Sequence, residues 1–111
     1  MQKTAPAAPA VRDMLRKVLD SETFSRSERA RDLLRYLVER EQAGDSDRLK
    51  GVTVAMDVFG KDSEFDPSTD AVVRVQAGRL RELLAAYYRT EGAADPVRIT
   101  IPRGSYVPSY K

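Results

Sequence analysis

Apolar residues recur along this chain in blocks whose spacing changes from helical to alternating. Val11, Met14, Leu15, Val18 and Leu19 fall at i, i+3, i+4, i+7 and i+8, which predicts an amphipathic helix over 10–19. A helix of that length is unstable alone, so its stripe must dock. It either packs on its own domain or serves as a contact between two copies. Residues 1–9 (MQKTAPAAP) carry no large side chain beyond Met1 and read as a disordered tail. Ala30, Leu33, Leu34, Leu37 and Val38 predict a second helix over 27–43, capped by Ser25 or Ser27 and stopped by Gly44. Tyr36 lies off the centre of that stripe, as a flanking packer. In LKGVTVAMDVFG, Val52, Ala55, Val58 and Phe59 fit one face of a short helix that Gly60 ends. The segment KDSEFDPSTD is a loop anchored by Phe65. Pro67 holds Asp66 extended, and Ser68, Thr69 or Asp70 can cap the next helix.

From 71 to 90 the period is helical again. Val73, Ala77, Leu80, Leu84 and Tyr87 line one face with Leu83 beside them, while Arg74, Gly78 and Arg81 fall on the other side. Gly92 and Asp95-Pro96 break the chain. Then Val97, Ile99 and Ile101 alternate with Arg98 and Thr100, the mark of a half-buried strand. Pro102-Arg103-Gly104-Ser105 makes a turn and Tyr106 to Tyr110 returns, with Pro108 suited to an edge. The expected architecture is mainly α with a C-terminal β-hairpin: one domain over 10–111 with an extra N-terminal helix at 10–20.

Composition narrows the chemistry. The 111 residues are 41% hydrophobic and 32% charged, which can build one small core. There is no cysteine, hence no disulfide or thiolate zinc site, and no histidine, the commonest general base and metal ligand. An enzyme is therefore not expected, and neither is a cofactor. Asp62, Glu64 and Asp66 lack the glycine turn and closing glutamate of a calcium loop. No apolar run is long enough to span a bilayer, and no signal-peptide core is present, so the expected place is the cytoplasm. Net charge is only +2, but unevenly spread: 12 basic and 13 acidic residues in 1–69, against 7 and 4 in 70–111. The positive field lies on the last helix and hairpin.

Arg74, Arg79 and Arg81 stand on the 71–90 helix with no acid between Asp70 and Glu82, and Arg103-Gly104 stands at the hairpin tip. A cationic helix beside a cationic hairpin suits two adjacent grooves of duplex DNA. Arginine pairs bidentately with guanine and also binds phosphate, and Gln76 can read adenine in the same manner. Gly78 costs roughly 1 kcal/mol of helix stability relative to alanine, so close approach to DNA or another helix is the expected return. The alternative for each arginine is a solvated surface charge or a partner for Asp70, Glu82 or Glu91, an even choice for Arg81 and Arg89 and the lesser one for Arg74 and Arg103. Tyr87, Tyr88, Tyr106 and Tyr110 could form a stacking platform for single strands, though core and wing packing is the simpler expectation.

The block VVRVQAGRLRELL…VRITIPRGSYVP resembles the C-terminal half of winged helix-turn-helix effector domains of the OmpR/PhoB type. Those end in a helix patterned VDVHIxRLRxKL and a hairpin carrying R-G-x-G-Y. Val73, Val75, Arg79, Leu80, Arg81 and Leu84 match the helix; Arg103, Gly104 and Tyr106 match the wing. Residues 24–110, including LLRYLVE, LKGVTVAMDVFG and FDPSTDAVVRVQAGRLR, also resemble a winged-helix-like module found at the N-terminus of bacterial tetratricopeptide-repeat and cyclase-related proteins. The chain departs from the effector pattern at Gly78, where a large polar residue is usual, and in a wing one residue shorter. It also shows helix where those domains carry an N-terminal sheet, and no receiver domain is expected.

The resemblance implies a small, nucleoid-associated bacterial transcriptional regulator that binds double-stranded DNA sequence-specifically. Helix 71–90 would enter the major groove with Arg74, Gln76 and Arg79 toward base edges, Gly78 allowing the approach. Arg81, Arg103 and Lys50 would bind backbone, with Gly104 shaping the wing (97–110) for the adjacent minor groove. Two copies, joined through helix 10–19, would supply enough contacts for specific affinity. The competing expectation is an adaptor on the same scaffold, docking on RNA polymerase or another regulator without binding DNA.

Overall fold

The computed structural model describes residues 6–111. Four helices precede a short hairpin: α1 (Ala8–Leu19), α2 (Glu28–Gln42), α3 (Gly51–Phe59) and α4 (Val72–Arg89), then β1 (Ile99–Thr100) and β2 (Ser109–Tyr110). A single 3-10 turn, Ser46–Arg48, lies between α2 and α3. The two strands pair antiparallel, Ile99 opposite Tyr110 and Thr100 opposite Ser109. Reciprocal backbone hydrogen bonds between Arg98 and Lys111 extend the ladder by one pair. The chain is thus mainly helical with a small C-terminal hairpin, as the periodicity predicts.

The apolar stripes meet in one connected core. All five stripe residues of α1 are buried, as are Ala30, Leu33, Leu34, Leu37 and Val38 of α2. α4 contributes Val73, Leu80, Leu84, Tyr87 and Tyr88, and the hairpin adds Ile99 and Ile101. α2 and α4 form the central pair, α3 packs on α4, and α1 covers α2. Helices this short persist in water only because burial offsets their backbone entropy.

Several expectations need correction. α1 starts at Ala8, so two residues of the expected tail are helical; Pro9 sits in its first turn, where its missing N–H costs nothing. Residues 1–5 of that tail lie outside the described residues. In α3, Val54 is buried with Ala55, whereas Val52 is 41% exposed. Leu49, ahead of the helix, is buried and turns the contact face by part of a turn. Ser27 occupies the N-cap of α2 without a side-chain bond, and Ser25 Oγ donates instead to the Glu22 carbonyl at 2.8 Å. The strands are shorter than their alternating stretches. Arg81 captures the carbonyls of Ile101, Pro102 and Ser105, which a longer ladder would need.

Gly60 ends α3 at φ 67°, a left-handed conformation that glycine adopts without a Cβ penalty. The loop after it is internally braced. The Asp66 carboxylate accepts from the Ser68 N–H and hydroxyl at 2.9 and 2.8 Å, and the Asp66 carbonyl accepts the Asp70 N–H at 2.9 Å. Asp70 Oδ1 in turn accepts the Val72 N–H at 3.0 Å, one of the unpaired donors at the start of α4, while Lys61 holds Oδ2 at 2.9 Å. Phe65 packs partly buried against the core.

Candidate nucleic-acid interface

α4 presents a mixed face to solvent. At 100° per residue, Val75, Gly78, Arg79 and Glu82 lie opposite the buried set Val73, Ala77, Leu80 and Leu84. Arg74 flanks this outward strip on the side of Arg81. Gln76 falls on the other flank, roughly 160° round the helix from Arg74, and is half-buried. Arg74 and Gln76 therefore do not address one groove floor together, contrary to the sequence expectation. Val75 is 60% exposed at the centre of the strip, the largest exposure among the big apolar side chains described.

Arg74 is exposed, and its Nη1 donates to the Pro67 carbonyl at 2.9 Å. That bond fixes the guanidinium over the loop and leaves its other N–H donors free. Arg79 is exposed without a carboxylate partner among the described residues. A Cβ added at Gly78 would meet nothing within 4 Å, so packing inside the chain does not require glycine there.

Arg81 departs furthest from expectation. Its Nε donates to the Ile101 carbonyl at 2.9 Å; Nη2 donates to the Pro102 and Ser105 carbonyls at 3.2 and 2.9 Å. The side chain is not a free backbone-binding cation. It fastens the hairpin loop to α4. The planar fork suits this because one guanidinium can satisfy several carbonyls in fixed directions.

The fastened loop carries Arg103 at its tip. Gly104 follows at φ +81°, the Ser105 N–H closes the turn on the Pro102 carbonyl at 3.2 Å, and Ser105 Oγ accepts the Val107 N–H at 3.0 Å. Arg103 itself is exposed. Lys50 precedes α3 and is exposed. A Cβ at the adjacent Gly51 would lie 3.9 Å from the Tyr106 ring, so Lys50 borders the hairpin loop. The site residues nearest the hairpin loop are therefore Lys50, Arg81, Arg103 and Gly104. Arg74, Gly78 and Arg79 belong to the outward strip, and Gln76 stands apart.

The tyrosines are structural. Tyr87 and Tyr88 are buried and meet edge to face, 5.0 Å between ring centroids at 80°. Tyr88 Oη accepts the Ile99 N–H at 2.7 Å, and Tyr110 Oη donates to Glu41 Oε1 at 2.6 Å. Burial pushes all three phenols above their ordinary pKa; the acceptor carboxylates Asp95 and Glu41 push Tyr87 and Tyr110 further. Tyr36 follows the same rule: burial and its 2.5 Å bond to Asp57 push it up to about 12. Single-strand stacking on Tyr87 and Tyr88 is excluded by their burial. Arg98 was not legible as a site residue and Arg89 only as an undecided one, yet both line a cleft with Arg81 and Arg103. Arg89 ends α4, and Arg98 immediately precedes β1.

The α1 stripe, for which the sequence left open packing on its own domain or a contact between copies, is buried in the chain's own core. Its exposed residues are Arg12, Asp13, Arg16 and Lys17 with small neighbours, so the reason for a contact through helix 10–19 disappears. Among the described residues no helix is long and apolar enough to cross a membrane. Comparison with protein-family models, with curated proteins and with solved structures finds no match to this chain.

Proposed function

We propose that this chain is a winged helix-turn-helix domain that binds double-stranded DNA as a small bacterial transcriptional regulator. α4 lies in the major groove with Arg74 and Arg79 toward base edges and Gly78 allowing close approach. The hairpin loop places Arg103 on the neighbouring minor groove or backbone, and Lys50 adds a phosphate contact. Gln76, on the far flank, is left to the facing strand. The reading is carried by the bond set of Arg81. It joins helix and loop into one body, so two cationic elements keep a fixed offset, as simultaneous contact with two grooves needs. Specific affinity calls for two such bodies on adjacent half-sites. The second copy must then meet the first outside the α1 stripe.

The test is fluorescence anisotropy on random and genomic duplex pools across a salt series. Binding should weaken steeply as salt rises; Arg103→Ala should lower the logarithmic salt slope by about one phosphate contact, and Arg74→Ala should cost about 1–3 kcal/mol and relax sequence preference. A folded protein that binds no duplex at low salt removes the reading. One observation favours an adaptor on the same scaffold: Val52, Met56 and Val75 are large apolar side chains left exposed. Affinity for a partner protein through those residues would be nearly insensitive to salt.

A further inference from the structure

Between the C-terminal half of α4 and the hairpin lies a cleft of about 430 Å³, within the range of small-molecule sites. Its floor is made by Leu84, Tyr88, Ile99 and Ile101, and its rim by Arg81, Arg89, Arg98 and Arg103. No acid lines it. The contrast with a larger cavity, of about 550 Å³, is direct: there Asp13, Asp20 and Glu91 offset Arg16 and Lys17. None of the four cleft arginines forms a salt bridge among the described residues.

The four guanidiniums are not equivalent. Arg81 is held by carbonyls, and Arg98 is held over the Tyr88 ring at 5.3 Å with a weak bond from Nη2 to the Ala93 carbonyl. Asp95, an acid that feels the Arg98 charge, is already bonded by Lys17 and Tyr87. Arg89 and Arg103 are exposed and unpaired at the rim. Four like charges around one cleft repel, and that repulsion destabilises the ligand-free chain. Two fixed and two adaptable donors over an apolar floor are what an anion with an apolar body needs. A bare phosphate would use the rim alone.

We propose that this cleft is a binding site for a small organic anion, a phosphate or carboxylate carried on a flat apolar body. The anionic group sits among Arg89, Arg98 and Arg103, and the body lies on Tyr88 and the isoleucines. The site stands whether or not α4 reads DNA. Because Arg81 and Arg103 belong to both, an occupant would bear on how the hairpin loop is held.

The probe is 1-naphthyl phosphate, followed by its fluorescence on titration with the full chain, beside inorganic phosphate and neutral 1-naphthol. The aryl phosphate should bind about tenfold more tightly than either control, because only it engages both rim and floor. Arg89→Ala and Arg98→Ala should each weaken it by about fivefold, and Arg12→Ala, which is not in the cleft lining, should not. Arg89 is exposed and its loss leaves the fold intact, so that variant decides even if Arg98→Ala unfolds. The same ligand should raise the melting temperature of the unmodified chain, and of Arg89→Ala less. Inorganic phosphate binding as tightly as the aryl phosphate would reduce the cleft to a path for any phosphate, a nucleic-acid backbone included. That result, or an Arg89→Ala chain that binds like the original, overturns the proposal.

Discussion

At its C-terminal end α4 leads into a segment whose carboxylates are bonded to the rest of the fold, and at its N-terminal end it faces solvent with its arginines barely engaged. Past Arg89, the Glu91 carboxylate accepts from the Thr23 N–H and hydroxyl at 2.8 and 2.5 Å and from the Glu22 N–H at 3.1 Å. Asp95 accepts the Tyr87 hydroxyl at 2.7 Å and pairs with Lys17 of α1. Around Val75 and Gly78, by contrast, Arg74 makes one bond to a loop carbonyl and Arg79 makes none to an acid. The same helix is therefore an anchor at one end and an open surface at the other. Charged side chains already satisfied within the fold have little left for a ligand, which is why charge counts along a sequence locate interfaces poorly.

Two glycines give the sharpest way to break that comparison. At Gly92 an added Cβ would sit 2.2 Å from Tyr87 Cε2, and the Tyr87 ring is 1% exposed with nowhere to move. Gly92→Ala should cost about 2–4 kcal/mol in urea unfolding, the largest loss predicted here. Next in size is Arg81→Ala, which leaves three carbonyls without their donor. A loss of roughly 2 kcal/mol is expected. Amide exchange should rise in 101–108 and stay unchanged in α1 and α2. Exchange that rises uniformly would mean that Arg81 supports the whole fold instead of fastening the loop.

A smaller effect is expected in acid. Burial raises the Asp95 pKa, but the bonds from Lys17 and Tyr87 outweigh it and hold the carboxyl below its ordinary range. A depressed folded pKa stabilises fully above the unfolded value and is lost as pH falls through the folded one. Stability should therefore decline below about pH 4, and Asp95→Asn should flatten that decline while lowering stability at neutral pH. The smallest change is Gly78→Ala, and its sign is opposite. With nothing within 4 Å of the new Cβ, the helix should gain about 1 kcal/mol. If the proposed function holds, duplex affinity should drop in the same variant, separating stability from binding at one position.

The helices were legible because their stripes are long and regular; every predicted core residue of α1 and α2 is buried. α3 was less so, since in nine residues Val52 and Val54 compete for the core and only the buried Leu49 decides between them. The hairpin was placed correctly but overextended, because alternation records which side chains face inward and not which carbonyls a distant arginine will capture. The candidate site suffered from the same blindness. Arg74 and Arg81 look alike in the sequence, both on the polar side of one helix, yet one lies over a loop and the other holds the hairpin. Spacing gives a direction around the helix axis; it does not reveal what waits there.

The bonds that complete the fold join residues far apart in the chain: Lys17 with Asp95, Thr23 with Glu91, Glu41 with Tyr110, separated by 78, 68 and 69 positions. A helical chain of this size would ordinarily fold fast through local contacts. Here α1 packs on α2, but the bonds of Lys17 and Thr23 wait for Asp95 and Glu91 beyond α4. The slowest and most aggregation-exposed step is therefore the meeting of the two halves, the α1–α2 pair with α4 and the segment beyond it.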